Sequence, residues 1–269
     1  MSPSLGFIGA GNMGSALISA FLTSENILRA NLKICDRSSG KLEYFRKMGI
    51  QVSEDPNVVI RGSDIIFLAI KPQDVQTFFG SVRDSLRKNV LLVSIAAGIS
   101  IHFLQKISDI SKVIRVMPNT PALVKMAVAG MFPSKEVEKK EYEYVKNLFH
   151  TCGVTIDCTS EEQIDAITAL SGSGPAYFFR ILEIFSQKAQ KFGFSESDAK
   201  NIALGTLRGT GELAQQSEDF FQTLREKVTS KGGTTEAALK KFEELRLENV
   251  LNAGIQAAYE RAREISNKQ

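Results

Sequence analysis

The sequence is poor in the residues that staple small proteins or bind metals. It has three cysteines, Cys35, Cys152 and Cys158. The number is odd and no CxxC pair occurs, so neither a disulfide framework nor a zinc knuckle is indicated, and no metal site is expected. A reducing compartment, the cytoplasm, is the simplest reading. His102 and His150 are the only histidines; neither sits in a motif, and both read as capping or surface residues. Charge of one sign is also scarce: 33 basic against 30 acidic residues leave a net charge of +3. Nucleic acid needs a concentrated basic face and is excluded as the main partner. Met1-Ser2-Pro3-Ser4 runs straight into an apolar segment with no basic stretch before it, so no targeting signal is expected. The run Asn89 to Gln105 carries no formal charge over 17 residues, the lower edge of a membrane span. Ser94, Gly98, Ser100 and His102 interrupt it. It reads instead as a buried strand, Val90 to Ile95, a turn at Ala96-Ala97-Gly98 and a helix starting at Ser100. Internal repeats and low-complexity linkers are lacking too.

What is present is an ordinary globular composition, 43% apolar and 23% charged, over 269 residues, enough for two domains. Short apolar runs without alternation occur at Leu5–Ile8, Leu32–Cys35, Ile65–Ile70, Val90–Ile95 and Val113–Val116, with later strands expected at Met126–Met131 and Val154–Asp157. Helical patterns separate them at Met13–Leu22, Lys41–Met48, Val75–Leu86 and Lys135–Phe149. Such alternation predicts an α/β fold with a parallel sheet covered on both faces. After about residue 160 only helices are expected. Ser160 with Gln163 suggests a capping box. Helices are predicted over Pro175–Phe192, from Ser195 to about Ala214, from Thr234, and over Leu247–Ile265. Phe178, Phe185 and Phe192 form a stripe that reads as core or dimer interface. The predicted layout is a Rossmann dinucleotide-binding domain, 1–160, followed by an all-helical domain, 161–269.

Gly9-Ala10-Gly11-Asn12-Met13-Gly14 is a GxGxxG sequence between an apolar strand and a helix, the context in which that motif is informative. Its glycines allow a tight turn and close approach of backbone N–H groups to a pyrophosphate, which the helix N-terminus also favours. Asp36 stands 22 residues after Gly14, where an acid would accept the ribose hydroxyl of NAD. Arg37-Ser38-Ser39 follows at once, and an arginine with hydroxyls suits the 2′-phosphate of NADP. Alternatively Arg37 is a solvated loop charge and Ser38 or Ser39 an N-cap. The balance favours NADPH, with NADH open.

Several blocks together resemble the pyrroline-5-carboxylate reductase family. They are Gly6 to Gly14, Ala69-Ile70-Lys71-Pro72-Gln73, Ser94-Ile95-Ala96-Ala97-Gly98, Arg115 to Ala122, Ala169 to Tyr177, and Leu224 to Thr235. The last two are the most specific. The resemblance implies reduction of the cyclic imine 1-pyrroline-5-carboxylate to L-proline by NAD(P)H, a homodimer joined through the helical domains, and in some members a larger ring of dimers such as a decamer. On the cofactor side it implies Gly9, Gly11, Asn12, Met13, Gly14, Asp36, Arg37, Ser38, Asn57, Ala69, Ile70, Lys71, Pro72, Ala97, Gly98 and Asn119. On the substrate side it implies Glu218, Ser230, Gly232, Gly233, Thr234 and Thr235. Thr235 is placed near the imine nitrogen as hydrogen-bond donor or proton relay, the one catalytic side chain expected.

The residues themselves agree with that chemistry. The glycine pair opens a helix whose N–H groups and dipole suit a carboxylate; the plainer alternative is that Thr234 caps the helix and the glycines turn the chain. Lys231 and Phe221 stand where the family usually has proline, and Lys231 is expected to face solvent. Two other readings stay open: a β-hydroxyacid dehydrogenase, which would want a lysine early in the second domain, where Ser171-Gly172-Ser173-Gly174-Pro175 stands instead, and a non-catalytic dinucleotide-binding protein.

Overall fold

The computed structural model describes residues 3–24 and 27–267. Among them, eight strands form one sheet: β1 (Leu5–Ile8), β2 (Leu32–Cys35), β3 (Gln51–Ser53), β4 (Ile65–Leu68), β5 (Leu91–Ser94), β6 (Val113–Met117), β7 (Ala127–Pro133) and β8 (Gly153–Asp157). Their order across the sheet is β3-β2-β1-β4-β5-β6-β7-β8. The first helices are α1 (Asn12–Phe21), α2 (Ser39–Lys47), α3 (Pro56–Arg61), α4 (Val75–Val82), α5 (Ile101–Ser108), α6 (Lys139–His150) and α7 (Glu161–Ile167).

Every residue of β1, β4 and β5 is buried. The period of two sorts them to opposite faces. Ile65 and Phe67 of β4 join one core cluster with Leu17 and Phe21 of α1, while Ile66 and Leu68 join another with Val75 and Phe79 of α4. Phe7 stacks on Phe67 with centroids 4.5 Å apart, and Phe21 meets both edge-on. Burial of each such ring contributes roughly 1.5–3 kcal/mol. The uncharged run resolves as expected: β5, a turn, and α5, whose N-cap Ser100 accepts the Phe103 N–H at 3.1 Å. No helix among the described residues is long and apolar enough to cross a membrane.

The sheet departs from the parallel expectation at one edge. β7 runs antiparallel to β6, and β8 is parallel to β7. The link from Met117 to Ala127 is one short 3-10 turn, Thr120–Val124, too short for the crossover a parallel neighbour requires. The elements β3 and α3 are unannounced in the sequence because three and six residues carry too little periodicity. Ser160 does not cap α7 through its side chain; Gln163 reaches back instead to the N–H of Thr159.

A π-helical turn, Thr168–Gly172, precedes α8 (Gly174–Lys191), α9 (Glu196–Gln215), α10 (Phe221–Lys227), α11 (Thr234–Glu244) and α12 (Leu247–Asn267). By compactness the chain divides into one unit of residues 1–173 with 258–269, and a second of 174–257. α7 and the π-turn go with the sheet: Ile167 packs on Gly130 of β7, and Ser171 accepts a hydrogen bond from Asn119. The second unit is helices only. Ser195 caps α9 by accepting the Asp198 N–H, as its sequence suggests. Small residues, Ala189, Ala199 and Ala203, are buried there. The large ones are not: Phe178 is 55% exposed and Phe192 69%, so that stripe is no core of a single chain.

Candidate active site

Two glycines of the GxGxxG turn are there for packing. Gly9 has φ +104°, and a Cβ on it would lie 2.4 Å from the carbonyl oxygen of Ala69. A Cβ on Gly14 would lie 2.3 Å from the carbonyl oxygen of Gly9, so α1 sits directly against the turn. Gly11 differs: a Cβ there would meet nothing within 4 Å. The middle glycine therefore leaves open space where an anionic ligand approaches backbone, the division of labour a dinucleotide turn needs. This turn lies past the carboxyl end of β1, where the chain goes from β1 to β2 on one side and β4 lies on the other, the switch point at which open α/β sheets bind ligands.

A cavity of about 880 Å³ opens at that edge. It brings together Gly9, Gly11, Asp36, Arg37, Ser38, Ala69, Ile70 and Lys71, residues from three separated segments of the sequence. It also takes in Gln73, the last residue of the Ala69-to-Gln73 block, and Lys41, Glu54, Asp74, Thr77 and Phe78, which the motifs did not single out. Lys41 had a readable signal, five positions after Asp36 on the first turn of a helix leaving the same strand. The space and the mixture of apolar walls with backbone and charged groups fit a nicotinamide dinucleotide.

The electrostatics are specific. Asp36 is turned inward: Oδ2 accepts the Ala10 N–H at 2.8 Å and lies 3.5 Å from Lys41 Nζ, while Oδ1 accepts the Ser38 N–H at 2.9 Å. Arg37, with 89% of its side chain exposed, pairs with Asp74 at 3.1 Å across the cavity wall. Lys71 has no ion-pair partner among the described residues and remains available to a phosphate. Burial, reinforced by Asp36, pushes the Cys35 thiol up to about 11, so Cys35 is a neutral wall residue.

The other cofactor-side residues are placed differently. Asn12 and Met13 form the first turn of α1, and Pro72 opens a 3-10 turn after Lys71. Ala97 and Gly98 lie in the loop between β5 and α5. Asn57 does not line the cavity. Its N–H and amide donate to Asp55 at 2.9 and 2.8 Å, and its carbonyl accepts from Ser85 at 2.6 Å. Asn119 is 7% exposed and internally committed: its amide donates to Ser171 and its carbonyl accepts the Val128 N–H at 2.9 Å. Both asparagines build the scaffold. His150 contacts Thr155 Oγ1 at 2.5 Å on the surface, in keeping with a non-catalytic reading.

On the second unit, Ser230 to Thr235 form the turn that opens α11. Gly232 has φ +73°, and the Gly233 N–H donates to the Ser230 carbonyl at 3.0 Å. The Gly232 N–H is taken by Glu236 at 2.6 Å. The two glycine N–H groups are thus spent within the turn, leaving those of Thr234 and Thr235 without partners among the described residues. Thr235 is half-buried; Lys231 and Glu218 are exposed, Lys231 as expected.

Comparison with known proteins covers both halves. Residues 161–265 match the family model described as pyrroline-5-carboxylate reductase dimerisation, and residues 4–98 match that of NADP oxidoreductase, coenzyme F420-dependent. A pyrroline-5-carboxylate reductase of Pseudomonas aeruginosa is 33% identical, over 99% of this chain and 98% of its own. The solved pyrroline-5-carboxylate reductase of Coxiella burnetii has a TM-score of 0.93 at 31% identity, covering 99% of both chains. The Plasmodium falciparum pyrroline carboxylate reductase, solved with NADP bound, gives 0.87 at 29% identity over 98% of each. Likeness of this extent, with the dinucleotide turn and the Gly232-Gly233-Thr234-Thr235 helix opening both in place, makes the chain a member of the pyrroline-5-carboxylate reductase family.

Proposed function

We propose that this enzyme reduces the C=N bond of 1-pyrroline-5-carboxylate to give L-proline, with NADPH as preferred donor, acting as a cytoplasmic homodimer. The observation that carries the reading is full-length likeness, above 30% identity, to reductases of this one name. A β-hydroxyacid dehydrogenase is disfavoured, because the first lysine of α8 is Lys188, in its last turn.

The nicotinamide cofactor, when bound, supplies a hydride to the imine carbon. The protein's own share is orientation and one hydrogen bond. Gly9, Gly11 and the first turn of α1 receive the pyrophosphate, with Asn12 and Met13 beside it. Arg37, Ser38 and Lys71 supply donors at the phosphate-bearing end. Ala69, Ile70, Pro72, Ala97 and Gly98 line the path toward the nicotinamide. The free N–H groups of Thr234 and Thr235, aided by the α11 dipole and by Ser230, hold the substrate carboxylate. The Thr235 hydroxyl donates to the ring nitrogen, and Glu218 stands near that ring. That hydrogen bond polarises the neutral C=N and can supply the proton the nitrogen takes up as hydride reaches the carbon, so binding the imine within about 3–3.5 Å of the donor carbon is most of the remaining task.

The test follows loss of NADPH absorbance on adding 1-pyrroline-5-carboxylate. Steady turnover with formation of proline is expected; tight NADPH binding without turnover would leave a non-catalytic dinucleotide-binding protein. Light scattering on the same sample reports whether dimers close into a larger ring such as a decamer.

A further inference from the structure

We propose that the last turn of α12 is a positioning element for the loop between β5 and α5, with Ile265 setting the backbone of Gly98 and Ser266 securing the helix end. The idea rests on the reading above that this loop flanks the cofactor.

Gly98 is buried at φ +70°, and a Cβ built on it would lie 2.3 Å from Ile265 Cγ2, 3.2 Å from Ile265 Cβ and 3.6 Å from its carbonyl carbon. The helix therefore rests directly on the loop backbone, with no room for any side chain. The other end of the loop is held as well. Glu161 Oε1 accepts the Ile101 N–H at 3.0 Å and, on the same oxygen, Arg115 Nη1 at 3.0 Å. Arg115 is 2% exposed. Its Nη2 donates to Asp165 Oδ1 at 2.7 Å and to Ser266 Oγ at 3.3 Å, and the Ser266 hydroxyl donates to the same Asp165 oxygen at 2.9 Å. A buried guanidinium must keep its partners, so this arrangement is stiff. One cluster thus connects the end of α12, β6 and the start of α5, while Ile265 covers the turn between.

α12 runs unbroken from Leu247 to Asn267, and only residues from Ala258 onward belong with the sheet. The helix that reaches the loop begins in the segment matched to dimerisation. Cofactor affinity is therefore sensitive to residues that touch neither the cofactor nor the substrate.

The experiment compares Ile265→Ala, Ser266→Ala and the conservative Ile265→Val in the full-length dimer. NADPH affinity is read by fluorescence titration, loop order by amide exchange over residues 96–101, and assembly by light scattering. Ile265→Ala should exchange faster in the loop and bind NADPH about five- to tenfold more weakly, with KM for the imine little changed and the dimer intact. Ser266→Ala should follow in the same direction, and Ile265→Val should restore most of the affinity. Unchanged exchange in Ile265→Ala would overturn the positioning role. So would loss of affinity that appears only together with loss of the dimer. Faster exchange with unchanged NADPH affinity would also overturn the proposal, and would place the fault in the location assigned to the cofactor rather than in the helix-to-loop contact.

Discussion

Asp36 Oδ2 accepts the backbone N–H of Ala10 at 2.8 Å, so the acid at the end of β2 fastens the glycine turn that follows β1. The same carboxylate takes the Ser38 N–H and lies near Lys41. Its charge is committed to the protein before any ribose arrives. Asp36→Asn should weaken NADPH and NADH together, by about tenfold each, because hydrogen bonds to charged groups are worth roughly 1.5–3 kcal/mol. Paired titrations check this. A loss confined to NADH would restore Asp36 to the role of ribose acceptor.

Arg37 is expected to act on the other side of that choice. Its surface pairing with Asp74 contributes little to stability, so Arg37→Ala should melt like the parent. NADPH affinity should fall about tenfold and NADH affinity hardly at all, the mark of a lost charge-assisted contact to a 2′-phosphate. Equal losses for both cofactors would argue that Arg37 only shapes the cavity mouth.

Thr235→Ala tests the substrate end. The N–H of residue 235 survives the change while the hydroxyl does not. We expect kcat to drop about 10²-fold, the usual scale for a positioned proton donor, with NADPH affinity within twofold. Unchanged kinetics would remove Thr235 from the reaction.

The cysteines make a chemical prediction. Burial pushes Cys35 and Cys152 each up to about 11, and Cys158 is raised by the same cause. A raised thiol value favours the protonated form, so at pH 8 only about one molecule in a thousand carries a thiolate at Cys35 or Cys152. Folded protein should resist a thiol-specific reagent, and denatured protein should consume three equivalents, one for each of its cysteines. Fast labelling of the native chain would contradict this burial.

An acid limb to stability should come partly from Asp157. The hydrogen bond from Lys146 and then that from Tyr142 hold its carboxyl below the usual 3.8. A depressed folded value means the contribution is complete above the unfolded value and is lost as pH falls through the folded one. Asp157→Asn should therefore flatten the stability curve below about pH 4 and leave its shape between pH 5 and 8 unchanged. A parallel displacement at every pH would mean that packing, and not charge, is what Asp157 contributes.

The parts of this molecule that were legible in sequence are those whose signal is local. Ile65 to Leu68 and the glycines at 9, 11 and 14 carry their meaning within a few positions, as does the Ser195–Asp198 cap. Asn57 and Asn119 show the opposite case. The Asn57 side-chain carbonyl accepts from Ser85 and the Asn119 amide donates to Ser171, partners 28 and 52 residues away, and nothing near either asparagine announces those bonds. The inward turn of Asp36 is hidden for the same reason, since its partner Ala10 is 26 residues distant. The antiparallel β7 follows from the length of one link, which periodicity does not record. The second unit was legible as helices, but its sparse burial was not, because an apolar stripe looks the same whether its partner is intramolecular or a second chain.

That sparse burial has a consequence for how the protein comes to exist in a cell. A chain leaving the ribosome with Phe178, Phe185 and Val250 open to water is sticky until it meets its twin. Its melting temperature should climb with concentration, as mass action requires of a fold completed by association.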